Sequence, residues 1–243
     1  MLLPNRTVSA LLIGLGLTVA SSANATLYSF DIDHPPGSAS AGDVTTFSAA
    51  YNDVTQQLSF SSTIARQDGY LADGFWLVLS DGPNPKHHFN EYSIFYGDGT
   101  TGNLTSYVYN GENSANSWHT PGEFIQSFAG GLSVDISVTD EVTYGFSIDT
   151  SFINAYVPAT PGTNDWDGAS FAANIGIWYH PAVFSGTTAY NQDGSLAAFP
   201  VQRGGWYDTR NQTSTVSAPE PAVLSILAAG LLAVGFSRRK SRI

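Results

Sequence analysis

The sequence predicts an all-β protein, a β-sandwich of jelly-roll type, and three observations lead there. Apolar residues alternate with polar ones through most of the chain and almost nowhere follow helical spacing. The alternating runs are short, with Gly, Asn, Asp and Pro turns between them at intervals of about ten to fifteen residues. Aromatic residues make up 13% of the chain and charged residues only 12%, which is the composition of a folding chain rather than a disordered one. Together these features fit a sandwich better than a closed barrel or an α/β fold.

The elements follow in order. Leu27 to Asp33 reads as a first strand. Phe47, Ala49 and Tyr51 alternate, Asn52-Asp53 turns the chain, and Leu58, Phe60 and Ile64 alternate on the return, which is a hairpin. Phe75, Leu77 and Leu79 share one face while Trp76 and Val78 share the other, so this strand is apolar on both sides and belongs at the centre of a sheet. Tyr92, Ile94 and Tyr96 give another strand, followed by one with Tyr107 and Tyr109. Leu132, Val134, Ile136 and Val138 face one way, and after Thr139-Asp140-Glu141 the chain returns through Val142, Tyr144, Phe146 and Ile148. A last strong run spans Phe171 to Tyr179. There is no repeat, and residues 26–208 form one domain, followed by 209–217 as a polar linker.

This body is acidic. Nineteen of the twenty acids fall between Thr26 and Ser217, but only Arg66, Lys86, Arg203 and Arg210 among the nine cations, leaving a net charge of −15. Such a surface repels phosphate backbones, so nucleic acid is excluded as a partner. The chain has no cysteine, and stability must come from a core without disulfide staples.

No catalytic residue is assigned. His34, His87, His88, His119 and His180 form no H-E-x-x-H pattern, and no G-x-S-x-G elbow is present. A glycosidase-like pair of carboxylates leaves no sequence signal and stays open as a third reading. Trp76, Trp166 and Trp178 read as core, whereas Trp118 and Trp206, in polar stretches bordered by Gly or Ser, are the candidate sugar platforms.

Both ends differ from the body. Residues 1–25 carry one charge at Arg6, an apolar stretch from Val8 to Ala20 and the small-x-small triplet Ala23-Asn24-Ala25, the pattern of a signal peptide cut by signal peptidase before Thr26. At the other end, residues 222–236 are uncharged with Ser225 as one polar residue, and they read as a single transmembrane helix. Fifteen helical residues span about 22 Å against a hydrocarbon core of about 30 Å, so the helix is short for a permanent anchor. Arg238, Arg239 and Lys240 extend its reach to the interface and hold the tail on the cytoplasmic side. Pro219 and Pro221 prevent the helix from extending backward, leaving an extended segment outside.

Pro219-Glu220-Pro221, then the apolar run, then Arg238-Arg239-Lys240, closely resembles the C-terminal sorting signal of PEP-CTERM proteins. The resemblance covers 218–243 and implies a single-pass intermediate recognised by an exosortase-type membrane protease, in a Gram-negative-type bacterium that makes exopolysaccharide. It implies delivery to the cell envelope, cell surface or extracellular matrix and says nothing about the chemistry of the body.

A second, weaker resemblance concerns the body. "ADGFWLVLSDGPNP", Ala72 to Pro85, is similar to a strand of the legume-type lectins, which have a concanavalin-like sandwich. The likeness implies that Asp73 accepts hydrogen bonds from sugar hydroxyls and that Gly74 lets the ligand approach the backbone. The stretch from Phe146 to Trp178 is similar to the same family's calcium loop, which implies Asp149, Asn154, Asp165 and Asp167 as Ca2+ ligands; Ser147 stands where that family has an acid. Asp-Gly pairs are also the commonest turn formers, and Asp73-Gly74, Asp98-Gly99 and Asp167-Gly168 are explained as turns without any ligand. The expectation is an exported, non-enzymatic surface protein, with recognition of extracellular polysaccharide as the alternative.

Overall fold

A computed structural model of the chain describes residues 26–35, 37–81, 91–110, 123–138, 140–156, 174–208, 212–213 and 215–217. Ala23, Ala25, Trp118, Asp165, Asp167, Pro219, Glu220, Pro221, Arg238, Arg239 and Lys240 lie outside the described residues, as do the signal peptide and the expected helix 222–236. Among the described residues, no helix is long and apolar enough to cross a membrane.

Two antiparallel sheets face each other. The first takes β1 (Leu27–Asp33), β3 (Asp43–Asn52), β4 (Gln57–Ala65), β9 (Ser133–Val138), β10 (Glu141–Asp149) and β16 (Thr215–Ser217), in the order β16-β1-β3-β4-β10-β9. The second takes β2 (Gly37–Ala39), β5 (Gly74–Asp81), β6 (Glu91–Asp98), β7 (Asn103–Asn110), β8 (Glu123–Phe128), β11 (Asn174–Phe184) and β14 (Val201–Asp208), in the order β2-β14-β11-β5-β6-β7-β8, with β15 (Gln212–Thr213) added against β11. A small hairpin of β12 (Ala189–Tyr190) and β13 (Leu196–Ala198) stands apart, and α1 (Ser151–Asn154) is one turn of helix after β10.

The period-two residues of facing strands make the core. Phe47 and Phe60 from the first sheet meet Tyr179 from the second, with ring centroids 5.6 and 5.4 Å away, and Phe60 lies 5.2 Å from Phe75. β5 is central and covered on both faces, as its two-sided apolar pattern requires: Phe75, Leu77 and Leu79 enter the main core, while Val78 joins Tyr92, Ile94, Tyr96, Tyr107 and Trp178 in a second cluster. β11 runs five residues past Tyr179 and contains Pro181; its ladder to β14 has register partners at Tyr179 and Ala182 but none at His180 and Pro181, as a residue without an N–H dictates.

Two expectations are corrected. The alternation has Leu132, Val134, Ile136 and Val138 facing one way, yet Leu132 is buried and Ile136 is 63% exposed. β9 is a sheet edge, and its register against β10 slips by one residue between Asp135 and Val138, a bulge that turns Ile136 outward. The expected linker 209–217 is partly sheet: Gln212 and Thr213 pair with Ile175 and Asn174, while Thr215, Val216 and Ser217 pair with Ser29, Tyr28 and Leu27. The end of the body therefore straps one sheet to the other.

Candidate functional site

Asp73 precedes β5 at a corner where three elements meet. Its N–H donates to the Ala182 carbonyl at 2.9 Å, its carbonyl accepts from the Gly99 N–H at 2.8 Å, and its carboxylate Oδ1 accepts from the Phe184 N–H at 2.9 Å. Burial pushes its carboxyl above the usual range; hydrogen bonds from Phe184 and its own backbone oppose this, and the charge of Asp98 adds to it. At Gly74 an added Cβ would fall 2.3 Å from the Phe184 ring and 2.6 Å from the Gly97 carbonyl oxygen. The Phe184 ring beside Gly74 packs in turn edge-on to Phe199 at 4.5 Å. Gly74 is required by internal packing.

The neighbouring acid is Asp98, read from sequence as a turn former. It is the register partner of Gly74 and only 1% exposed. Oδ1 accepts from the Thr100 N–H, the Thr100 hydroxyl and the Thr101 N–H, and Oδ2 from the Thr101 hydroxyl at 2.7 Å and the Tyr190 hydroxyl at 3.1 Å. Burial works against the charged form, but these donors outweigh it and hold the carboxyl below its usual range. Two acids on adjacent strands with oppositely shifted pKa values have the electrostatics of an acid–base pair. Asp98, however, already receives five donors, about as many as a carboxylate accepts. Chemically the corner is a brace: Asp73 fixes β5 to β11, and Asp98 fixes the β6–β7 turn to the β12–β13 hairpin.

That hairpin lies on the outer aromatic cluster. Leu196 and Phe199 pack against it, the Leu196 N–H donates to the Tyr107 hydroxyl at 2.6 Å, and Phe199 lies 5.3 Å from Tyr96 and 5.9 Å from Trp76. Trp178 is buried and Trp76 half-buried, in keeping with their reading as core. His180, 8% exposed, meets Trp76 edge-on at 4.6 Å, and burial pushes its imidazole down to about 4. Trp206 lies in β14, where its backbone pairs with Ser38. An open depression of about 440 Å³ lies beside Asn191, Gln192 and Asp193 at the hairpin tip, and the Asp193 carboxylate there accepts from the Ser195 N–H and hydroxyl.

Two of the four expected calcium ligands are described, and both serve the turn around α1. Asp149 is exposed and its Oδ1 accepts from the Ser151 N–H at 2.8 Å; this contact and one from the Ser151 hydroxyl hold its carboxyl below the usual range. The Asn154 amide nitrogen donates to the Tyr51 hydroxyl, Gln56 Oε1 and Thr150 Oγ1 at 3.1, 2.9 and 3.1 Å. Among the described residues, no three His, Asp or Glu side chains are grouped to hold a metal.

One surface escaped the sequence reading. On the first sheet, the outward positions of β3, β4 and β10 include Ser48, Ser59, Ser61, Thr63, Thr143 and Ser147, all half-buried or exposed. Cross-strand hydroxyls meet at 2.9 Å between Ser59 and Ser147 and at 3.0 Å between Thr63 and Thr143. The alternation of Ser and Thr with apolar residues was the available signal, but only the register brings the hydroxyls of three strands together.

Comparison with protein-family models, curated proteins and solved structures finds no match to this chain.

Proposed function

We propose that the chain is an exported, non-enzymatic cell-surface or extracellular-matrix protein, delivered by a sorting tail of the PEP-CTERM type and carrying a jelly-roll body. The observation that carries this reading is the ordered triplet of Pro219-Glu220-Pro221, the uncharged run and Arg238-Arg239-Lys240 behind a signal-like N-terminus. The fold supports it in two ways. The chain crosses between the sheets after β1, β2, β4, β8, β10 and β15, in the manner of a jelly roll, and the register partners Leu27 and Ser217 bring the two ends of the body together. The test is mass spectrometry of the protein recovered from the cell surface: a mature C-terminus near Pro219 to Pro221 supports the reading, and a chain that keeps Ile243 overturns it.

A second reading, recognition of a neutral extracellular polysaccharide, is favoured by the hydroxyl-lined outer face of the first sheet, whose cross-strand contacts hold the hydroxyls in place. Asp73, Trp118 and Trp206 stand as an alternative set of contacts, separate from this face, since Asp73 leads into β5 and Trp206 lies in β14, both in the second sheet. In a pull-down with the host's own polysaccharide, binding unchanged by Asp73→Asn removes Asp73 from the site.

A further inference from the structure

The ladder of β1 and β3 continues one residue beyond Leu27. The Thr26 backbone nitrogen donates to Asp53 Oδ1 at 2.7 Å, and the Thr26 carbonyl accepts from the Asp53 N–H at 3.2 Å. Asp53 sits on a braced turn, since the side-chain oxygen of the preceding Asn52 accepts from the N–H groups of Val54 and Thr55 at 3.1 and 2.9 Å. This geometry owes nothing to the Ala23-Asn24-Ala25 signal, yet it falls on the residue which cleavage at that signal would make the first of the chain.

We propose that Asp53 is the binding site for the α-ammonium group created at Thr26 when residues 1–25 are removed; the proposal rests on the export reading. Hydrolysis breaks the C–N bond between Ala25 and Thr26, water giving its hydroxyl to the Ala25 carbonyl carbon and a proton to the Thr26 nitrogen, which takes a further proton from solvent near neutral pH. A neutral amide donor becomes a cation, and the 2.7 Å contact becomes a charge-assisted one. The described cations are engaged elsewhere: Arg66 pairs with Asp140 at 3.2 Å, and Arg203 lies 3.9 Å over the Tyr70 ring. Close by, burial raises the Tyr51 phenol, and the charges of Asp53 and Asp149 add to this, so the phenol stays neutral near pH 7. Signal removal then pins β1 to the β3–β4 turn as the same step frees the chain end.

The test uses the exported protein in a Lys86→Arg, Lys240→Arg background, which leaves the α-amine as its one primary amine. Thermal melts are compared with and without Asp53→Asn, each before and after acetylation. Acetylation keeps an N–H donor and removes the charge, so it is expected to lower Tm by about 1–3 °C when Asp53 is present and to leave the Asp53→Asn protein unchanged. The α-amine is expected to titrate above the about 7.7–8.0 of a free terminus. Equal effects in both backgrounds, or none in either, overturn the proposal. Sequencing the mature N-terminus separates the two claims: a start other than Thr26 overturns the cleavage reading itself, whereas a Thr26 start without coupling overturns only the role of Asp53.

Discussion

At the scale of residues, single atoms decide what substitutions the second sheet accepts. A Cβ on Gly204 would lie 1.8 Å from His180 Nε2, with no room on a buried face. Gly204→Ala is therefore expected to destabilise the body by about 1–3 kcal/mol in denaturant titrations. His180 carries a pH dependence of definite sign. Its folded pKa, about 4, lies below the ordinary imidazole value of 6.5, so the unfolded chain takes up the proton first and stability falls as pH drops through that window. Between pH 7 and pH 5 the loss is expected to be about 2 kcal/mol, and His180→Phe should abolish most of it. A stability unchanged over this range in the unsubstituted protein would contradict the buried neutral imidazole. Asp73 and Asp98 show what the sequence hid at this scale: both precede glycine, and only the structure separates the half-buried clamp from the acid with five donors.

At the scale of elements, alternation located β1, β3, β4, β5, β6, β7, β9, β10 and the first part of β11, because burial of a face is what a period of two records; it missed β8 and the eight-residue β14, whose sequences EFIQSF and VQRGGWYD do not alternate. β15 and β16 escaped because they are two and three residues long, mostly polar, and lie at the margins of their sheets. Their pairing is nonetheless consequential. A chain ending at Ser217 is expected to melt like the tail-bearing body, whereas one ending at Arg210 should lose about 2 kcal/mol with the cross-sheet strap; equal melting of the two would show that the strap adds nothing. The bulge in β9 failed to register in the sequence for a related reason, since a one-residue slip depends on the partner strand and leaves the alternating pattern intact.

At the scale of the whole molecule, a body of net charge −15 without disulfides holds together through two apolar clusters on the two faces of one sheet. The expected calcium ligands Asp149 and Asn154 already serve hydrogen bonds around α1, so treatment with EDTA is expected to move Tm by less than about 1 °C; a larger fall would place a stabilising cation on the body. The adjacency of Leu27 and Ser217 means that segments leaving either end start from the same edge of the first sheet.

The sequence by itself determined the all-β character, the position of most long strands and the central place of β5, because alternation is local and records burial directly. The expectations for export and sorting also come from the sequence alone, through the ends that flank the body. Tertiary structure alone decided the fate of the acids and glycines: Asp73 is bound by an amide 111 residues away, and Gly74 is fixed by the Phe184 ring. Hydrogen-bond partners and steric neighbours of this kind are set by contacts between distant segments, and a local pattern carries no record of them.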